Sequence, residues 1–218
     1  MTIAYAEPRV RQWIHHGSVP LPELAFQHIL AAILRRDYVS GDTLNTTRFA
    51  RELDMSLNPI REAIIRLRDI GLVEVTPARY TKVADFTTPE SRAAIGYAGV
   101  LAGAALRRTL STAAGEVRSD LARQLELIGR EDEAADRNAA AIAFLTAVAD
   151  LVEHPRQARH LVESTLLAQC ALQFTEDAPR DATTLAQSDA AETAAQAIRA
   201  GEPAITETSV RTLFEQLA

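Results

Sequence analysis

Residues 54–75 read Asp-Met-Ser-Leu-Asn-Pro-Ile-Arg-Glu-Ala-Ile-Ile-Arg-Leu-Arg-Asp-Ile-Gly-Leu-Val-Glu-Val. Ser56 is placed to cap a helix whose first turn tolerates Pro59. Ile60, Ala63, Ile64, Leu67 and Ile70 recur at helical spacing, and Gly71 stops the helix in the left-handed conformation that glycine accepts cheaply. Downstream, residues 72–77 and 81–84 read as two short strands around a turn at Ala78-Arg79-Tyr80, a small hairpin. Upstream, Asp54-Met55-Ser56 is a tight connection from a short helix that Asn45 caps and that carries Phe49, Ala50 and Leu53. Asp37 to Asp42, with Gly41, reads as a turn. Before it, Pro22 and Glu23 open a helix running to Arg36 with Leu24, Ile29, Ala32 and Ile33 as its apolar stripe.

Helix, short helix, tight turn, longer helix and hairpin, in that order, describe a winged helix-turn-helix. The second helix of such a pair fits the major groove of B-DNA and reads bases from its N-terminal half, while the wing reaches the backbone or minor groove. Here that half offers Ser56, Asn58 and Arg61, preceded by Thr46, Thr47 and Arg48 at the start of the short helix. Asparagine pairs with adenine edges, arginine with guanine or phosphate, and serine with either. On the hairpin, Arg79 and Lys82 are expected to meet phosphates, with Tyr80 beside them. Taken singly, Arg61-Glu62 and Arg66-Arg68-Asp69 describe a solvated helix face; the ordered set is what points to DNA.

The 218 residues carry a net charge of −6, with 47% apolar and 24% charged residues, the profile of a globular protein with a real core. The acidity is unevenly spread. Residues 1–86 hold 11 Lys+Arg against 10 Asp+Glu, net +1, and residues 87–218 hold 12 against 19, net −7. That asymmetry predicts two parts, a DNA-binding domain at 1–86 and a second domain at 87–218. No apolar run reaches the roughly 18 residues of a membrane span, and Met1 to Arg11 lacks the apolar core of a secretion signal, so a cytoplasmic protein with no membrane partner is expected. A single cysteine, Cys170, excludes an internal disulfide and reads as a plain buried thiol.

Asp85-Phe86-Thr87-Thr88-Pro89-Glu90 reads as a linker turning into a helix, with Thr88 as cap and Pro89 in the first helical position. Beyond it alanine dominates and β-branched runs are scarce. Breaks near Gly115, Gly129 to Asp132, His154-Pro155, Glu176 to Arg180 and Gly201-Glu202-Pro203 leave an all-α bundle of about six helices. The fold class is therefore mainly α.

Several of these segments resemble one family. Residues 29–34, Ser40-Gly41-Asp42-Thr43-Leu44-Asn45, residues 49–56, Pro59-Ile60-Arg61-Glu62-Ala63-Ile64 and Gly71-Leu72-Val73-Glu74 are similar to the DNA-binding domain of GntR-family bacterial transcription regulators. The helical half, with Ala197-Ile198-Arg199-Ala200-Gly201-Glu202 near its end, resembles the FadR-type effector domain known as FCD. The resemblance implies a homodimer on a near-palindromic double-stranded operator, commonly a repressor, with a small molecule in the helical domain altering the placement of its reading heads. Two-fold symmetry is also what two half-sites one helical turn apart require.

The chain departs from the family pattern at informative places. Where the family has arginine after the serine that starts the recognition helix, this chain has Leu57, and Tyr80 stands at the wing's usual glycine, a residue that takes φ > 0 less cheaply. Many FCD domains hold a metal through an Asp-x-x-x-His pair and two further histidines; the matching positions here are Ala141, Leu145, Ala191 and Leu213. Alanine and leucine donate no lone pairs, so no metal and no cofactor is expected. His154 and His160 do not share one helix face, and the adjacent His15 and His16 point apart. The family's arginine and glutamate in the first effector helix become Ala98 and Ala102. An anionic effector would lack its counter-charge there, so the six positions Ala98, Ala102, Ala141, Leu145, Ala191 and Leu213 describe either a pocket for an uncharged or hydrophobic molecule or a cavity filled by side chains.

Two functions remain open on the sequence: a DNA-binding regulator, or a degenerate relative serving as a dimerisation or interaction module, for which Leu57 and Tyr80 speak. An enzyme is not expected, since no Gly-rich phosphate loop, nucleophile elbow or metal-ligand cluster appears.

Overall fold

A computed structural model describes residues 19–131, 133–174 and 184–218, with side chains in the last stretch from residue 186. His15, His16, Asp132 and the break at 176–180 lie outside the described residues. The chain divides into two compact units, Met1–Ala84 and Asp85–Ala218.

The first unit holds α1 (Leu21–Leu34), α2 (Thr46–Glu52), α3 (Leu57–Ile70), β1 (Val73–Thr76) and β2 (Tyr80–Val83). Its core is the inward face of α1 (Ala25, Phe26, Ile29, Leu30, Ala32, Ile33) against that of α3 (Ile60, Ala63, Ile64, Leu67), closed by Phe49 of α2 and by Leu72, Val73 and Val83. Leu24 does not belong to that face. Five residues before Ile29 is about 140° round a helix, and Leu24 is 38% exposed. Ile70, at the end of α3, is only half-buried.

Local chemistry sets the connections. The Asn45 side chain accepts the Arg48 amide at 3.0 Å, the expected cap of α2. Asp54 turns the chain at φ 50 between α2 and α3, a conformation that aspartate tolerates, while the Met55 amide reaches back to the Ala50 carbonyl at 2.9 Å. Gly71 ends α3 at φ 93, as its position implied. The hairpin is antiparallel, pairing Val73 with Val83, Glu74 with Lys82, Val75 with Thr81 and Thr76 with Tyr80. Residues 42–44, read as turn and cap approach from sequence, add a short third partner: Thr43 bridges Lys82 and the Leu44 amide donates to the Thr81 carbonyl at 2.8 Å.

The second unit consists of α4 (Thr88–Thr109), α5 (Gly115–Arg130), α6 (Ala134–Asp150), α7 (Pro155–Phe174), α8 (Thr184–Ala200) and α9 (Pro203–Leu217). The cap of α4 is Thr87, one residue before the expected Thr88, because Glu90 then sits three residues on and accepts both the Thr87 amide (3.1 Å) and its hydroxyl (2.8 Å). Helices α4 and α9 approach closely through Gly99, whose added Cβ would strike Phe214, and Gly103, whose added Cβ would lie 2.8 Å from the Glu207 carbonyl oxygen. Phe144 and Phe214 stack at 6.1 Å in the interior, and Cys170 is wholly buried, its thiol pushed up to about 12 by that burial. Among the described residues no helix is long and apolar enough to cross a membrane.

Candidate nucleic-acid interface

Helix α3 begins with an open end. Ser56 occupies the N-cap position but its hydroxyl makes no capping hydrogen bond, and Pro59 at the third helical position has no N–H to satisfy. Among the described residues the amides of Leu57 and Asn58 find no acceptor, and they lie at the positive end of the helix dipole, where phosphate oxygens bind well. Asn58 and Arg61 lie on the exposed face of this first turn and a half, and among the described residues the Arg61 guanidinium has no ionic partner. Arg66 and Arg68 do. Arg66 donates to Glu23 of α1 at 2.7 Å and lies 4.2 Å over the Phe26 ring; Arg68 is held by Asp69 at 2.7 Å. These two arginines belong to the fold's own surface, as the plain reading of that charge run had it.

The hairpin separates its cations in the same way. Arg79 sits exposed in the turn, which its amide closes on the Thr76 carbonyl at 3.0 Å, and its guanidinium has no partner among the described residues. Lys82 is 19% exposed; its ammonium lies 3.2 Å from cross-strand Glu74 and 5.5 Å over the Tyr80 ring. Tyr80 itself begins β2 in extended pairing with Thr76, and the left-handed residue of the turn is Ala78, at φ 58. The strained position is therefore two residues earlier than the sequence suggested. At the start of α2, Thr46 is half-buried and Thr47 exposed. Arg48 donates to Glu52 at 2.6 Å; this hydrogen bond holds the guanidinium pKa above, and the carboxyl pKa below, the ordinary value. Leu57, met in the sequence only as a missing arginine, is presented to solvent at the first position of α3. Its signal was its place directly after the cap.

In the helical unit, Ala98, Ala102, Ala141, Leu145, Ala191 and Leu213 are all completely buried. Their side chains hold only carbon and hydrogen, so they do not fit a metal, and among the described residues no three His, Cys, Asp or Glu side chains gather into a metal-binding group. His154 lies exposed at the head of α7 and His160 at the surface, 3.7 Å from Glu163. Several polar groups are buried in this unit, Ser91, Ser164, Thr206 and Asn138 included. Asn138, on the same face of α6 as Ala141 and Leu145, is 94% buried with neither its amide nitrogen nor its amide oxygen partnered among the described residues. Alanine-rich surroundings concealed it in the sequence. Elsewhere an open depression of about 630 Å³ is lined by Gly115, Glu116, Arg118, Ser119, Asp120 and Arg199, none of them among the six positions. At its edge Arg199 donates to Glu126 at 2.6 Å.

Residues 21–83 match the family of bacterial regulatory proteins called the gntR family. Among solved structures, Escherichia coli McbR/YncC is similar over 91% of this chain and 95% of its own, with a TM-score of 0.64 at 18% identity. A GntR protein of Rhodococcus sp. RHA1 is similar over 89% and 93%, with a TM-score of 0.63 at 20% identity. At these identities the likeness is one of fold. No curated protein matches the chain in sequence. Helix order, hairpin and family match agree: residues 21–83 fold as a winged helix-turn-helix and are similar to the gntR family of bacterial regulatory proteins.

Proposed function

We propose that the chain is a repressor that binds a near-palindromic operator as a homodimer and answers to a small molecule in an FCD-type helical domain. The observation that carries the reading is the start of α3: two open amides, Asn58 and an unpartnered Arg61 on one face, with a second unpartnered arginine, Arg79, at the hairpin tip. A dimer seated on an operator excludes polymerase from overlapping DNA, so repression follows from occupancy. Its place of work is the bacterial cytoplasm, where the DNA lies.

Helix α4 supports the dimer. Ala93, Gly96, Tyr97, Val100, Leu101 and Ala104 form a stripe along its outer face, with Tyr97 56% exposed. Gly96 costs the helix about 1 kcal/mol relative to alanine, yet among the described residues nothing beyond its own stretch of helix lies within 4 Å of where its Cβ would be. A second α4 crossing antiparallel between Tyr97 and Val100 pairs Tyr97 with the partner's Val100, Gly96 with the partner's Leu101 and Ala93 with the partner's Ala104, and brings Glu90 near the partner's Arg108. Such self-complementarity is what a two-fold interface requires.

For the effector, carbon-only side chains at the six buried positions favour an uncharged molecule, and the unpartnered Asn138 amide favours one that both donates and accepts hydrogen bonds. A thermal-shift screen that found only tight carboxylate ligands would contradict this. The reading as a whole is tested by selecting duplexes from a random pool with the full-length chain and titrating them at several salt concentrations. A regulator gives one specific sequence, a steep negative salt slope and two protomers per duplex. The interaction-module reading, which the internal pairing of Arg48 and Lys82 favours, gives no specific duplex.

A further inference from the structure

The exposed face of α3 carries more aliphatic surface than a solvated helix face needs. Leu57 is 36% and Ile65 45% exposed, eight residues apart in one row with the unpartnered Arg61 between them. Leu57 is the first residue of the helix, beside Asn58 and the open amides, so it stands where a recognition helix enters the groove. Its side chain has no donor or acceptor. The major groove offers such a side chain one apolar partner, the 5-methyl group of thymine. Ile65 sits about 12 Å further along the axis, outside the N-terminal half that reads base edges.

We infer that Leu57 is a specificity-determining residue that reads a thymine methyl in each half-site, within a few base pairs of the base pair met by Arg61. This rests on the DNA-binding reading above. Leu57 is 36% exposed, and contact with the methyl removes apolar surface of both from water. Arg61 lies four residues, about 6 Å, along the helix from Leu57, a reach of roughly two base-pair steps. The two side chains therefore address neighbouring positions of one half-site.

The test uses the duplex selected by the full-length chain. Each thymine of the half-site is replaced in turn by deoxyuridine, which keeps every hydrogen-bonding atom and removes only the methyl. At one thymine per half-site the wild-type chain is expected to lose roughly three- to fivefold in affinity, the worth of one buried methyl. Leu57→Ala is expected to bind the thymine and deoxyuridine duplexes alike, while Ile65→Ala keeps the wild-type loss. The exchange on the DNA side leaves the protein untouched, so the result does not hang on how a variant folds. Specific binding that is indifferent to every methyl, or a Leu57→Ala chain that still feels the same one, overturns the inference and leaves the regulator reading standing. Failure to select any specific duplex overturns both.

Discussion

Gly103→Ala tests the packing of the helical unit most sharply. The added Cβ would lie 2.8 Å from the Glu207 carbonyl oxygen and 3.3 Å from its Cα, where carbon contacts settle at about 3.5–4.0 Å. Both atoms are backbone, so no rotamer change relieves the overlap; α9 must withdraw by several tenths of an ångström, disturbing the 2.6 Å bond between Arg107 and Glu207. Overpacking costs about 1–3 kcal/mol, and a backbone clash belongs at the upper end. Removing a mid-helix glycine returns about 1 kcal/mol. The net expectation is a loss of about 2 kcal/mol, or roughly 5–10 °C in melting temperature for a unit of this size. Urea denaturation followed by circular dichroism measures it. Gly96→Ala is the control: with nothing among the described residues within 4 Å beyond its own helix, it gives the protomer back about 0.5–1 kcal/mol, at protein concentrations where dimers are sparse. If the two variants shift stability equally and in the same direction, the close approach of α4 and α9 is wrong.

Two further perturbations bear on other parts of the chain. Ala78→Gly relieves a left-handed alanine at φ 58, worth about 1–2 kcal/mol, against roughly 0.4–1 kcal/mol of added unfolded-state entropy. A gain of about 0.5 kcal/mol is expected in the first unit's unfolding curve, and a clear loss would show that the turn is not built this way. The second concerns acid stability. The hydrogen bond from Arg199 holds the Glu126 carboxyl below its ordinary value near 4.5, aided by the charges of Arg199 and Arg130 and opposed in part by burial. A depressed folded-state value means stability that is fully present above about 4.5 and is lost as pH falls through the lower folded value. Melting temperatures from about pH 6 to about pH 3 are therefore expected to fall less steeply in Glu126→Gln than in the wild type, and parallel curves would contradict the pairing.

Much of the winged-helix unit was legible because local chemistry and the global fold agree there. Asn45 caps, Gly71 takes positive φ, and the apolar period of α3 is unbroken through Leu67. The misreadings share a cause, which is that sequence shows spacing but not partners. Thr88 looked like a cap until Glu90 was seen to close on Thr87. Lys82 and Arg48 looked like free cations because Glu74 and Glu52 stand opposite them only after the strands pair and the helix turns. The third strand partner at Thr43 is a two-residue contact with no periodicity to reveal it. In the helical unit, alanine fills both faces of the helices, so neither the buried amide of Asn138 nor the glycine seam of α4 with α9 could be separated from background.

In the proposed complex Arg61 and Arg79, which have no ionic partner among the described residues, are the cations that meet DNA. The most direct test compares Arg61→Ala/Arg79→Ala with Arg66→Ala/Lys82→Ala on the same selected duplex, titrated across a salt series after circular dichroism has confirmed folding. The first pair is expected to weaken binding and to flatten the slope of log affinity against log salt by about one per protomer, the phosphate that Arg79 meets, and the second to leave the slope near the wild-type value. Equal losses from both pairs, or a slope that only the second pair flattens, would contradict the account.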